Sequence, residues 1–446
     1  MKIPVSPPPW EGLVARHAKD LGRLFSYRLG PEVKGAYEHW DHLRHLTPPR
    51  EDLTPEQWWL CLKYARLAMY SELPLRDKAG APFTVALSDS IQRRLFLVAR
   101  DAAGALQGAE RVPSDKMRER YLVRSLMEEA MTSSQLEGAA TTTQVAKDML
   151  RTGRQPRDYG ERMIYNNYAA MRELKAWQSR PLTPEAVFEM HRMLTDGTLK
   201  DPSCAGRFRR QDENIVVEDE VGNVLHVPPA ASELPARLQA LCDFANQGED
   251  DGHFIHPVVR AIMIHFQIGY DHPFCDGNGR TARALFYWSM MRSGFWMAEY
   301  LSISSILKQA PAQYTRSYLF TETDGSDATY FLSHQLDVLI KAIAGVHGYI
   351  ERKQRAQAEA EVLLRPGSKL AGTLNHRQRA VLLNALRHPD KQFTIDVHRR
   401  THDISYQTAR TDLLGLVDEK LMEQHKQGKS FYFVPVPNLD RKLEHR

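Results

Sequence analysis

Cysteine is scarce in this chain. The four present, Cys61, Cys204, Cys242 and Cys275, are scattered, with no CxxC pair and no disulfide-like framework. Such usage fits a reducing compartment, so a cytoplasmic protein is expected. No apolar run reaches the eighteen or so residues a spanning helix needs, so no membrane partner is expected. The opening MKIPVSPPPWEG has no apolar core leading to a cleavage site, so no signal peptide is expected either. Internal repeats are absent, as is low-complexity sequence beyond one PPP. Charge of a single sign is absent from the whole, with 59 Lys and Arg against 55 Asp and Glu, but it is unevenly placed. From Gly367 to Arg446 there are 14 Lys and Arg against 9 Asp and Glu, a net of +5 on a nearly neutral body. That imbalance points to a polyanion partner for the tail or to a solvated basic surface.

The remaining composition, 26% charged and 42% apolar over 446 residues, suits a soluble protein of two or three domains. LTPEQWWLCLKYARLAMYSE reads as a helix with Thr54 as N-cap, Pro55 next and Gln57 closing a capping box. LPLRDKAGAPF, Leu73 to Phe83, breaks that pattern with Pro and Gly and suggests a boundary. A helical tract follows from about Ser88 through Leu150, and another helix opens at Thr183–Pro184. AGRFRRQDENIVVEDEVGNVLHVPPA differs in texture, with β-type runs at Ile215–Val217 and Val224–Val227 around a turn. Between Pro257 and Gly269 the residues Val258, Ile262, His265, Phe266 and Gly269 fall near one helix face. ALFYWSMMRSGFW is apolar nearly all round and reads as a buried helix.

The densest chemistry lies in HPFCDGNGRTAR, His272 to Arg283. A DGNG turn opening a helix exposes backbone N–H groups and the positive end of the helix dipole, which is an anion seat. Arg280 and Arg283 share a face one turn apart. Asp276 beside such a seat is a suitable ligand for Mg²⁺ or Mn²⁺ on a phosphate. His272 on the preceding loop suits a general base, and Phe274 would hold the loop by packing inward. His191, His256 and His265 have no metal-type spacing and read as structural.

This stretch resembles the signature of the Fic/DOC family, HPFx[D/E]GNGRxxR, at all nine fixed positions. The likeness extends over about Ser88 to Ile343, through HPVVRAIMIHFQIGYDHPF, GRFRRQDENIVV…HVPP and LSISSILKQAPAQYTRSYLF. One departure is Asp271, where members often carry an apolar residue. The resemblance implies a mainly α fold: a Fic-type helical bundle with a β-hairpin flap. It implies transfer of AMP from ATP to a hydroxyl of a target protein. His272 would be the base and Asp276 the metal ligand. Phe274, Gly277, Asn278, Gly279, Arg280 and Arg283 would form the nucleotide site. The flap residues Arg209, Ile215, Val216 and Val217 would dock the target. Upstream, SSQLEG resembles the family's inhibitory motif, [S/T]xxxE[G/N]. Ser133, Glu137 and Gly138 would then restrain the enzyme by pairing Glu137 with Arg283, and some such members also remove AMP.

In the tail, NHRQRAVLLNALRHP, TIDVHRRTHD and SYQTARTDLLGLVDEKLM read as three helices, followed by two β-type runs around Gly428. This order resembles a winged helix-turn-helix domain. Tyr406, Gln407, Thr408 and Arg410 would face a DNA groove while Leu413, Leu414 and Leu416 pack inward, and Lys426 and Lys429 would touch phosphates. Winged domains also bind proteins or dimerise. The expected organisation is an N-terminal helical region (1–80), a Fic core (81–345) with its inhibitory helix near 128–138, a helical linker (346–370) and the winged domain (371–446). Expected partners are ATP, a target protein with the chain itself among the candidates, DNA, and a second copy. A DNA-binding regulator whose core senses nucleotide, and an enzyme that mainly removes AMP, are the alternatives.

Overall fold

The computed structural model describes residues 1–103, 115–248, 252, 254–364, 373–388, 391–427 and 430–444. The chain divides into two compact units: Met1–Ala105 with Val123–Ile343, and Leu106–Leu122 with Ala344–Arg446. No helix among the described residues is long and apolar enough to cross a membrane.

In the first unit the helix Pro55–Leu67 starts at the Thr54/Gln57 capping box, as its sequence requires. Trp58, Trp59, Leu60 and Leu62 bury its inner face with Leu13, Leu24, Trp40 and Leu43. The Pro- and Gly-containing segment after it is a hairpin, Tyr70–Arg76 paired antiparallel with Pro82–Ala86, and not merely a break. Its alternation of Leu73, Leu75, Phe83 and Val85 toward the interior is short-range strand patterning that the turn residues obscured. The long helical tract is divided into Asp89–Ala103, Asp115–Leu136 and Thr143–Thr152. The second of these, the upstream helix, packs Ala130 and Met131 on Ala146, Met149 and Ile164.

Two antiparallel neighbours make the centre. The pre-motif helix, Pro257–Asp271, is buried on nearly every side and not on one face alone. The motif helix, Asn278–Arg292, is equally enclosed. Elements surround both, so neither needs a polar face. Pro184–Thr195 and Tyr159–Trp177 pack beside the motif helix.

The second unit holds the C-terminal part of Thr329–Leu363 and the tail. Its helices His376–Arg387, Ile395–His402 and Tyr406–Asp418 precede the strands Met422–Gln427 and Ser430–Pro435. The short strand Phe393–Thr394 adds to the outer side of Ser430–Pro435, giving a three-stranded antiparallel sheet. Leu382, Leu413, Leu416 and Phe433 are the centre of this unit's own core, and Leu414 packs partly buried against it. The buried Asp412 accepts from Asn375, Arg377 and His398, which ties the third helix to the first two.

Candidate active site

His272 caps the pre-motif helix in the left-handed region, φ 45°, which turns the chain sharply into the loop. Its Nδ1 lies 3.0 Å from the Gly269 carbonyl oxygen. A carbonyl only accepts, so Nδ1 carries the proton and Nε2 keeps its lone pair. Burial lowers the imidazole pKa, against the opposing pull of the Gly269 hydrogen bond, so the neutral, proton-accepting ring is favoured.

The loop is closed by side chains that the sequence suggested for phosphates. Asn278 is buried, and both its amide atoms are used on one residue: Oδ1 accepts from the Phe274 N–H at 2.9 Å and Nδ2 donates to the Phe274 carbonyl at 2.8 Å. Its side chain is a loop clasp. Phe274 points inward, fully buried. Gly277 sits at φ 84°, and an added Cβ would come within 2.7 Å of Thr195 Cγ2, so glycine is required there twice over. Arg280 is completely buried; Nη1 donates to the Leu194 carbonyl at 2.9 Å and Nη2 approaches Asp276 Oδ1 at 3.5 Å. Its buried Nε has no hydrogen-bond partner among the described residues. Such an orphaned donor beneath a helix N-terminus fits an anion above it. The Asp276 side chain is 44% exposed and accepts from the Gly277 N–H. A hard oxygen donor reaching solvent beside an anion seat fits Mg²⁺ or Mn²⁺.

The upstream helix ends at Leu136, and Gly138 at φ 93° terminates it. Its last turns bring Ser133 and Glu137 to the motif helix. Arg283 Nε donates to Ser133 Oγ at 2.9 Å, and Nη2 donates both to the Ser133 carbonyl at 3.0 Å and to Glu137 Oε1 at 2.9 Å. Burial alone would raise the Glu137 carboxyl, but the Arg283 and Arg280 charges outweigh it and hold it below the usual range. The same Oε1 lies where a side chain at Gly279 would project. A carboxylate therefore sits on the N-terminal turn of the motif helix, the place an anion would take. Glu129, two turns earlier, is buried and accepts from Ser302 Oγ, Ser304 Oγ and the Ser304 N–H, which anchors the upstream helix.

Beside the loop, Val217–Glu218 pairs antiparallel with Val224–His226. Ile215 and Val216 are half-buried and precede that strand. Arg209 is not presented to a docking partner. It is buried, its Nε donating to the His272 carbonyl at 2.8 Å, while its own N–H bonds the Pro273 carbonyl at 2.8 Å. It clamps this segment to the loop. His226 Nε2, 2.7 Å from the Tyr270 carbonyl, makes a second clamp.

Cys204 and Glu213 carried no sequence signal of a shared site. Cys204 Sγ, a Glu213 oxygen and Cys275 Sγ lie within 4.8 Å of one another. Arg207 fills that group as its cation, 2.6 Å from Glu213 and 2.9 Å from Cys204. Asp271 is buried between Arg237 and Gln267. In the tail, Tyr406, Gln407, Arg410 and Lys426 are exposed and Thr408 is half-buried, its hydroxyl 2.9 Å from Ser405 Oγ. Lys429 lies outside the described residues.

The protein adenylyltransferase Fic of Nematostella vectensis is 36% identical over 118 residues, which are 26% of this chain and 25% of that protein. Its counterpart in Drosophila virilis is 28% identical over 208 residues, 46% of this chain and 40% of the relative. The chain thus matches less than half the length of either. A Fic family protein from Desulfovibrio desulfuricans G20 has a similar fold, with a TM-score of 0.51 at 16% identity over 79% of this chain and 97% of that one. Residues 181–290, which contain His272, the loop that follows it and both Arg280 and Arg283, match the Fic/DOC family.

Proposed function

We propose that this chain is a self-inhibited protein adenylyltransferase that moves AMP from ATP to a hydroxyl side chain of a target protein. The observation that carries it is the pairing of His272, Nε2 unprotonated, with a motif-helix N-terminus whose buried arginines face a stand-in anion, the Glu137 carboxylate. In the reaction His272 Nε2 takes the proton of a Ser, Thr or Tyr hydroxyl as its oxygen attacks the α-phosphorus. The bond to the β-phosphate bridging oxygen breaks and pyrophosphate leaves. Backbone N–H groups at Gly277 to Gly279 with Arg280 hold the phosphates, and Arg283 takes the γ-phosphate. Asp276 would hold Mg²⁺ or Mn²⁺, which neutralises phosphate charge when bound. Ile215, Val216 and Val217 offer a strand edge to the target. In the resting chain Glu137 occupies Arg283 and repels the γ-phosphate. Incubation with labelled ATP and a cell lysate, followed by mass spectrometry of labelled proteins, tests the reading; absence of any AMP-modified protein, the chain included, even for the Glu137→Gly variant, would refute it.

The tail supports a second role. Tyr406, Gln407 and Arg410 are exposed on the first turns of the third helix, beside a two-stranded wing, in a segment of net charge +5. That arrangement suits a winged helix-turn-helix domain reading duplex DNA. Removal of AMP by the same site is the alternative that Glu137 supports, since a carboxylate beside the anion seat can activate water. Release of free AMP from a pre-modified target distinguishes it.

A further inference from the structure

We propose that His191 is a positioning residue for Asp276, setting the backbone from which that carboxylate reaches its cation. The proposal rests on the reading of Asp276 as the cation ligand. His191 lies on Pro184–Thr195, 85 residues before Asp276, and its side chain is fully buried. Both ring nitrogens are used. The Gly206 N–H is 3.0 Å from Nδ1, and a backbone N–H can only donate, so Nδ1 accepts. Nε2 therefore carries the proton and donates to the Asp276 carbonyl oxygen at 2.8 Å. The ring also stacks on Phe274, with centroids 3.9 Å apart and planes 18° from parallel.

One helix thus sets the underside of the loop at four points. His191 holds the backbone at 276 and the ring at 274. Thr195 stands against Gly277, and the Leu194 carbonyl receives Arg280. The Asp276 carboxylate itself has little support, among the described residues only the adjoining Gly277 N–H and a 3.5 Å approach by Arg280, and it is 44% exposed. Its direction follows from its main chain, and the hydrogen bond from His191 is what fixes that main chain from below. Partners that orient a ligand in this way typically matter by about 10–100-fold in metal affinity.

The distinction between the two ring nitrogens supplies the test. Asparagine at 191 places an amide near the Nδ1 position and can serve Gly206 but not reach Asp276. Glutamine reaches the Nε2 position and can serve Asp276. The full chain carrying Glu137→Gly is compared with the same protein bearing His191→Asn, His191→Gln or His191→Phe. Mn²⁺ binding is read by the electron-paramagnetic resonance of free Mn²⁺ in the presence of α,β-methylene-ATP, which cannot transfer AMP. His191→Asn and His191→Phe are expected to weaken Mn²⁺ binding by about tenfold or more, and His191→Gln to recover most of it. The Mg²⁺ concentration for half-maximal transfer with ATP should rise in the same order. If His191→Phe does not fold, the contrast between Asn and Gln decides. Equal Mn²⁺ affinity in Asn and Gln variants overturns the proposal, whether both match the parent or both are weakened alike. If the Glu137→Gly parent shows no nucleotide-dependent Mn²⁺ binding, the Asp276 reading falls and this proposal with it.

Discussion

The Arg283 guanidinium is held by the end of the upstream helix: Nη2 donates to Glu137 Oε1 at 2.9 Å, and Nε donates to Ser133 Oγ, also at 2.9 Å. Four residues separate the two acceptors, one helical turn, so a single rigid face presents both. In this arrangement Arg283 Nε and Nη2 are both taken by that segment, and on the proposed reading removal of one carboxylate frees Nη2 for a nucleotide.

Glu137→Gly should therefore raise AMP transfer well above wild type. A carboxylate at Gly279 displaces the phosphates from in-line geometry, and a small displacement costs on the order of 100-fold in rate. Arg283→Ala, alone or with Glu137→Gly, should be inactive because the clamp itself is lost. Autoradiography of labelled AMP on the chain or on lysate proteins ranks the variants. A Glu137→Gly protein that binds ATP and is no faster than wild type would return Glu137 to the AMP-removal or surface reading.

His272→Ala in the Glu137→Gly background should abolish transfer and leave ATP affinity within about a factor of two, because the imidazole contacts no phosphate in the scheme. Calorimetric titration with a non-transferable ATP analogue, beside the transfer assay, separates the two effects.

The pH profile follows from the same imidazole. Burial lowers its pKa, so the neutral base persists below pH 6.5. Transfer by Glu137→Gly should rise with pH through an inflection below about 6.5 and be flat by pH 7, with proton uptake at lower pH removing the base. An inflection above 7 in the transfer rate would mean that another group is titrating.

Glu129→Ala should activate partially, less than Glu137→Gly. It removes the acceptor for Ser302, Ser304 and the Ser304 N–H and so frees the upstream helix without removing the Glu137 carboxylate. Transfer assays read the rank order, and thermal melts should show a loss of stability that Glu137→Gly does not share.

The full chain should bind duplex DNA through the tail, with log affinity falling by about 0.9 per phosphate contact for each unit of log salt. Arg410→Ala and Tyr406→Ala should weaken it. A fluorescence-anisotropy titration at low salt that shows no binding would assign the tail to protein contacts.

Local chemistry was legible wherever one turn of chain carried it. The Thr54 capping box, the Gly-rich entry to the motif helix, the turn spacing of Ser133 and Glu137, and the three tail helices all follow from neighbours in sequence, because helix caps and i,i+4 pairs are short-range. The Tyr70–Ala86 hairpin was not legible as such, since its turn residues look the same as a linker. Nor were the partners of the polar side chains. Asn278 and Arg209 had the composition of ligand-facing residues, yet Asn278 closes on Phe274 and Arg209 on the His272 carbonyl. His191 had no motif of its own and is nevertheless bonded to Asp276 across 85 residues. The residue types by themselves determined that an imidazole, a carboxylate and two guanidiniums would stand within one short stretch at the start of the motif helix. Only the packing decided which atoms face the proposed anion seat and which hold it, because a buried donor or acceptor must find a partner, and which partner lies within 3 Å is set by how distant helices cross.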